Sequence, residues 1–184
     1  MLLRTQNTFL LVIDMQEQLA PAVLEYDRIE KNVISLLTAA KQLRVPVRVT
    51  EHCADKIGHT VRPLRDHVGE KTVLAKRRFS AYSEPSIATD LDGLNRKAVI
   101  IVGIEAHVCV LQTVVDIKEA GYHPYLVVDG TSSRYAEDKE VAIERMAENG
   151  AERVTTEMVL FEWLEQADTD DFRKIFPLIR NRSR

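Results

Sequence analysis

VIIVGIEAHVCVLQTVVDIKEAG, residues 99–121, decides the fold. An apolar run over residues 98–102 stops at Gly103 and a short polar turn, and the spacing changes there from strand-like to helical. Val108, Leu111, Val114, Val115 and Lys118 follow at helical intervals until Gly121 ends the segment. Cys109 therefore stands in or just before the first turn of a helix, where a buried strand hands over to it. Free backbone N–H groups and the helix dipole at such a point favour thiolate over thiol and can receive an oxyanion. A free cysteine is also, on its own, most often a small buried hydrophobe, and this stretch alone leaves both readings open.

The same alternation runs outward in both directions. Residues 9–13 (FLLVI) form a continuous apolar run stopped by Asp14, the pattern of a strand buried on both faces. Helical spacing follows over 29–43, then strands over 46–50 (PVRVT) and 72–75 (TVLA), and a helix over 87–94. Beyond the Cys109 helix come a fifth strand over 123–128 (HPYLVV) and an amphipathic helix over 138–149 closed by Gly150. A short sixth strand over 153–155 and helices over 158–164 and 170–178 complete the order. Strands that alternate with helices make βαβ units with right-handed crossovers, hence a three-layer α/β fold of Rossmann-like type with a parallel sheet covered on both faces.

Composition narrows the function. With 184 residues and 45% hydrophobic content the chain suits one domain, residues 1–184, with a full core. Its formal net charge is −3 with the two signs interspersed, so no basic stripe argues for nucleic acid. The Arg180, Arg182 and Arg184 end is too short to count as one. No apolar run approaches the ~20 residues of a membrane span, and the N-terminal run ends at Asp14 without a basic leader. Two cysteines of different context suit free thiols in a reducing cytoplasm.

In a parallel α/β sheet the ligand crevice lies outside the carboxyl ends of the strands, at a switch point. Three ionisable residues stand there. Asp14 closes strand one, Lys76 closes strand three, and Cys109 follows strand four. Singly, Asp14 reads as a cap and Lys76 as a solvated charge. Together a carboxylate, an ammonium and a thiol are what a cysteine nucleophile requires.

FLLVIDMQ (9–16), VLAKRRFSAY (73–82) and VIIVGIEAHVCV (99–110), in this order and at these intervals, resemble the isochorismatase-like cysteine hydrolase family. TEHCADKIGHTVRPL, VVDGTSSRYAEDKEVAIERMAENGA and TTEMVLFEWL extend the likeness over roughly residues 8–178, nearest to the short isochorismatase-domain-containing branch. The resemblance implies a six-stranded parallel sheet, the triad Asp14, Lys76 and Cys109, and a cis peptide at 104–105. It implies an oxyanion hole made by the backbone amides of Glu105 and Cys109, no cofactor, and a homo-oligomer. The implied chemistry is hydrolysis of a small amide or related C–N substrate through a thioester. The family's namesake enzymes cleave a vinyl ether and lack the cysteine, so Cys109 points away from that substrate.

Around this triad the expected substrate contacts are Gln16, Phe79, Tyr82 and His107, each with a plainer alternative. Gln16 also suits bonds to loop backbone, Phe79 and Tyr82 packing against the next helix, and His107 a helix-entry hydrogen bond. Ser132, Ser133 and Arg134 follow strand five and read equally as helix-start chemistry. His52 and His59 lie where nicotinamidases of the family bind a metal, but the Asp-x-His pattern is missing, so no metal is expected. Cys53 has no base or cation beside it in sequence and reads as a spectator. Two other classes stay open: a non-catalytic metabolite- or partner-binding protein of this fold, and a thiol redox sensor, the latter without a CxxC partner. A nucleotide-binding role does not suit DMQEQL or GIEAHVC, which lack the glycines needed to approach phosphate.

Overall fold

The computed structural model describes residues 1–180. Arg182 and Arg184 lie outside the described residues. The order is β1 (Thr8–Ile13), α1 (Tyr26–Leu43), β2 (Val47–His52), α2 (Ala54–Ile57), α3 (Arg62–Arg65), β3 (Val73–Lys76), α4 (Pro85–Gly93), β4 (Ala98–Ile104), α5 (Leu111–Glu119), β5 (His123–Ser132), α6 (Ala136–Glu148), β6 (Glu152–Val154), α7 (Thr156–Leu164) and α8 (Asp170–Arg180). The six strands form one sheet in the order β3-β2-β1-β4-β5-β6, and every pairing is parallel. β1 and β4 are the neighbours at which the winding reverses.

The continuous apolar runs follow from a sheet with two covered faces. Along β1, Leu10 and Val12 join the core under α1, α7 and α8, while Phe9, Leu11 and Ile13 join the core under α4, α5 and α6. β4 divides the same way, with Ile100, Val102 and Ile104 on the first side and Val99 and Ile101 on the second. All of these side chains are fully buried. Burying each contributes about 1.5–3 kcal/mol, which no polar residue in the strand centres would match. α1 meets this core through Ile29, Val33, Leu36, Leu37 and Ala40, the 3.6-residue stripe of its sequence.

Two features escape a reading by periodicity. α2 and α3 are single turns of four residues, too short for any period to register. β5 runs on to Ser132, past the end of its apolar stretch at Val128. Its pairing skips there: β4 advances two residues, Ile101 to Gly103, while β5 advances five, Leu126 to Thr131. The polar extension is satisfied locally. Asp129 Oδ1 accepts from the backbone N–H and hydroxyl of Thr156, and the Asp129 carbonyl accepts from Asn32 on α1.

Gly103 fixes the closeness of β1 and β4 at the switch point. Its φ is +140°, and a Cβ there would lie 2.2 Å from the Ile13 carbonyl oxygen. Only glycine fits, because the obstacle is backbone that cannot turn aside. Gly103→Ala is therefore expected to cost about 3 kcal/mol or more, read as a lower midpoint in urea unfolding, whereas Gly93→Ala, where a Cβ meets nothing within 4 Å, is expected to leave that midpoint near its starting value.

Candidate active site

Asp14 follows β1 directly, with its backbone in the left-handed region at φ 51°, a conformation Asp tolerates better than most residues. Its backbone N–H donates to the Thr50 carbonyl at 3.2 Å, and Thr50 Oγ1 donates to Asp14 Oδ1 at 2.7 Å. The carboxylate is thus aimed by β2. The second oxygen, Oδ2, lies 2.7 Å from Lys76 Nζ, and both side chains are wholly buried. That contact is an ion pair whose geometry falls outside that of a hydrogen bond, and Oδ2 accepts no hydrogen bond from any described residue. Lys76 instead directs its protons at the carbonyls of Arg78 (3.1 Å) and Phe79 (2.9 Å). The ammonium is held by the loop that follows β3, and Oδ2 keeps a lone pair to spare.

Cys109 completes the group. Its sulfur is in hydrogen-bond contact with both Asp14 and Lys76. The residue lies in a wide π-helical turn, Ala106–Val110, ahead of α5, rather than in the first turn of the α-helix itself. The Glu105 carbonyl accepts from Val108 and Val110, the second bond spanning five residues. Single π-turns of this kind occur often at functional sites. The Ile104–Glu105 peptide that leads into the turn is cis, as the family resemblance implies.

The expectation of a resting thiolate is corrected. Burial, and then the neighbouring Asp14 carboxylate, push the Cys109 thiol up to about 12, and Lys76 offsets only part of this. A helix N-terminus does not outweigh loss of solvent plus an adjacent anion. The sulfur is a protonated thiol at neutral pH.

The remaining residues divide clearly. Gln16 is fully buried, and its amide is spent on backbone: Nε2 donates to the His52 and Gly58 carbonyls at 3.0 and 2.6 Å, while Oε1 accepts from His52 N–H at 2.7 Å. The expected substrate contact is corrected to a staple between β1, β2 and the loop at Gly58. Tyr82 is corrected as well. Its hydroxyl donates to Asp92 and its ring packs edge-on to Tyr122, at the opposite end of the sheet from Cys109. His107 is engaged at both nitrogens, with Nδ1 3.0 Å from Ser133 Oγ and Nε2 3.7 Å from Asp138; it ties the turn to β5 and α6 and has no ring nitrogen left for a substrate. Ser132 donates to the Leu24 carbonyl.

Phe79 remains at the mouth, half-exposed, with its ring 5.4 Å from that of His52. Burial and Lys76 lower the His52 pKa, so the ring is neutral at pH 7. His59 is spent on Glu51, whose other oxygen holds Thr60. Among the described residues no three His, Cys, Asp or Glu side chains converge to hold a metal. Cys53 is a free thiol lining a groove of about 380 Å³ beside β3, which Cys109 does not line. Two partners were not legible in sequence: Thr50, which aims Asp14, and Arg134, whose Nε lies 2.5 Å from Glu105 Oε1. A serine-serine-arginine run after a strand carries no signal that its arginine turns back onto another strand's loop.

The sequence pattern of the Isochorismatase domain matches residues 8–158. The chain belongs to the isochorismatase family. The solved structure of MAR1 ribonuclease from Caenorhabditis elegans superposes on it with a TM-score of 0.92 at 34% identity, covering 98% of this chain and 93% of that one. The secreted isochorismatase effector Isc1 of Phytophthora sojae is 31% identical, over 95% of this chain and 85% of its own. The YcaC gene product of Escherichia coli, described as an octameric hydrolase of unknown specificity, shares the fold with a TM-score of 0.91 at 22% identity, covering 99% and 93%. This isochorismatase-family chain is accordingly a hydrolase in broad class. Among the described residues no helix is long and apolar enough to cross a membrane.

The two charges beside the thiol act on it in opposite senses, which gives a test with a sign. Asp14 raises the Cys109 pKa and Lys76 lowers it. Asp14→Asn should therefore bring thiolate formation, followed by absorbance at 240 nm in a Cys53→Ser background, to lower pH. Lys76→Met should move it to higher pH still.

Proposed function

We propose that this protein is a cysteine hydrolase of small amides or related C–N substrates, with Cys109 as nucleophile, Asp14 as proton carrier and Lys76 as the cation that balances them. The observation that carries this reading is the contact of the three groups at the β1/β4 switch, with Asp14 Oδ1 pinned by Thr50 and Oδ2 left without a hydrogen bond. The magnitudes select the route. Forming a free thiolate at pH 7 from a thiol near 12 would cost on the order of 7 kcal/mol. Transfer of the proton to Oδ2 as the sulfur attacks avoids most of that cost.

Cys109 attacks the carbonyl carbon while its proton passes to Asp14 Oδ2. The tetrahedral oxyanion rests on the backbone amides of Glu105 and Cys109, where each donor is worth ~10²–10³ in rate. Protonated Asp14 returns the proton to the leaving amine, and the C–N bond breaks to leave a thioester. Water that gives its proton to Asp14 then releases the acid and restores the thiol. No cofactor is needed at any step.

A second reading follows from the C. elegans neighbour's designation as a ribonuclease at 34% identity. A net charge of −3 without a basic stripe weighs against RNA as substrate. Cytoplasmic placement is supported by the two free cysteines, and a homo-oligomer by the fold shared with an octameric protein. The deciding experiment offers a panel of primary amides, carbamates and ureido acids alongside labelled single-stranded RNA. Turnover of an amide that drops by roughly 10³-fold or more in Cys109→Ala and Asp14→Asn is the expected result; cleavage of RNA that survives Cys109→Ala, with no amide turned over, overturns the proposal.

A further inference from the structure

Arg134 stands two residues beyond Ser132, which pairs in register with Ile104. Its guanidinium turns back over the nucleophile turn and pairs with Glu105 at 2.5 Å, where the arginine side chain is half-exposed and the glutamate side chain only 13% so. The pair is an ion contact without an aligned hydrogen bond, and the guanidinium donates no hydrogen bond to any other described residue. Five N–H donors are thus held beside the reaction centre with little to do. Glu105 grips the Nε side, which leaves the Nη1/Nη2 edge open, the edge that binds a carboxylate in two-pronged fashion.

Position sets the reach. The Glu105 side chain and the ion contact together place the guanidinium within roughly 9 Å of the Glu105 backbone amide. That amide is one of the two proposed oxyanion donors. Anything bound by both is small, with its second polar group only a few bonds from the reacting carbonyl.

The charge around the mouth is consistent with this. Asp14 and Lys76 cancel one another in the interior. Glu51 is buried on Thr60 and His59, and His107 faces Asp138. Arg77 meets Asp55 only at 3.8 Å, between two exposed side chains. Arg78, whose carbonyl holds Lys76, is exposed and its side chain meets no acidic partner among the described residues. On a chain of net charge −3 the rim of this site is locally positive.

We propose that Arg134, supported by Arg78, binds a carboxylate on the substrate, so that the site selects small amides that also carry a carboxylate. The inference rests on Cys109 being the nucleophile. Arg134 would touch the substrate without joining the chemistry, setting specificity through KM and orientation.

Two alkylating agents of nearly equal size test this without knowledge of the substrate: iodoacetate, an anion, and iodoacetamide, its neutral counterpart. Rates at each cysteine are followed by peptide mass spectrometry between pH 7 and 10. The iodoacetate-to-iodoacetamide ratio at Cys109 should exceed that at Cys53 by roughly three- to fivefold, the scale of a half-exposed charge pair, and should shrink in 0.5 M salt, where the Debye length is only a few Å. Arg134→Gln should abolish the excess, Arg134→Lys should retain part of it, and Arg28→Gln, on the distant surface of α1, should leave it intact. Equal ratios at the two cysteines, or an excess that persists in Arg134→Gln, overturns the carboxylate site while Cys109 remains a nucleophile. A Cys109 that takes neither reagent while Cys53 takes both overturns the nucleophile reading on which the inference rests.

Discussion

An ammonium and a carboxylate, both removed from water, hold the working end of this sheet together. The Asp14–Lys76 pair joins the end of β1 to the end of β3 across β2, and β2 contributes Thr50 to fix one carboxylate oxygen. Isolating either charge in that interior would cost several kcal/mol, so neither strand end can move without the other. The loop after β3 closes the arrangement by giving two carbonyls to the ammonium. Cys109 is then brought to the same point by an independent route, the β4 turn. Stability is not what such a pair supplies best, since apolar residues of similar size often serve as well. It supplies one fixed geometry.

That geometry explains why so much was legible. A doubly buried strand must be apolar at every position, so β1 and β4 announced themselves, and each ends on the residue that matters. Asp14 and Lys76 were conspicuous as charges placed where an apolar run stops. The triad emerged because the three breaks fall at one edge of a parallel sheet. What stayed hidden was orientation. Gln16, Tyr82 and His107 all stand close to the triad in sequence, yet each side chain is satisfied elsewhere, by β2 backbone, by Asp92, and by Ser133 with Asp138. Proximity along the chain says nothing of which way a rotamer points. Thr50 and Arg134 were silent for the opposite reason, because their partners are distant in sequence.

The thiol carries a second lesson. A position ahead of a helix suggests an activated cysteine, but the helix contributes a partial charge whereas burial and a full neighbouring carboxylate act more strongly. The π-turn matters here because it sets the sulfur back against Asp14 and Lys76 instead of at the open end of α5. Local sequence reports the helix. Only the assembled sheet reports the carboxylate.

The suppressed ionisation of Cys109 bears on survival in an oxidising moment. Peroxide reacts with thiolate, so a sulfur that keeps its proton, in a residue only 6% exposed, is a poor target for sulfenic acid formation. The enzyme at rest is in this sense chemically asleep: its nucleophile exists only during the moment in which a carbonyl stands over the sulfur and Asp14 takes the proton. A redox sensor needs the reverse, a sulfur ionised while it waits. The same carboxylate that makes the hydrolase workable would make the sensor slow.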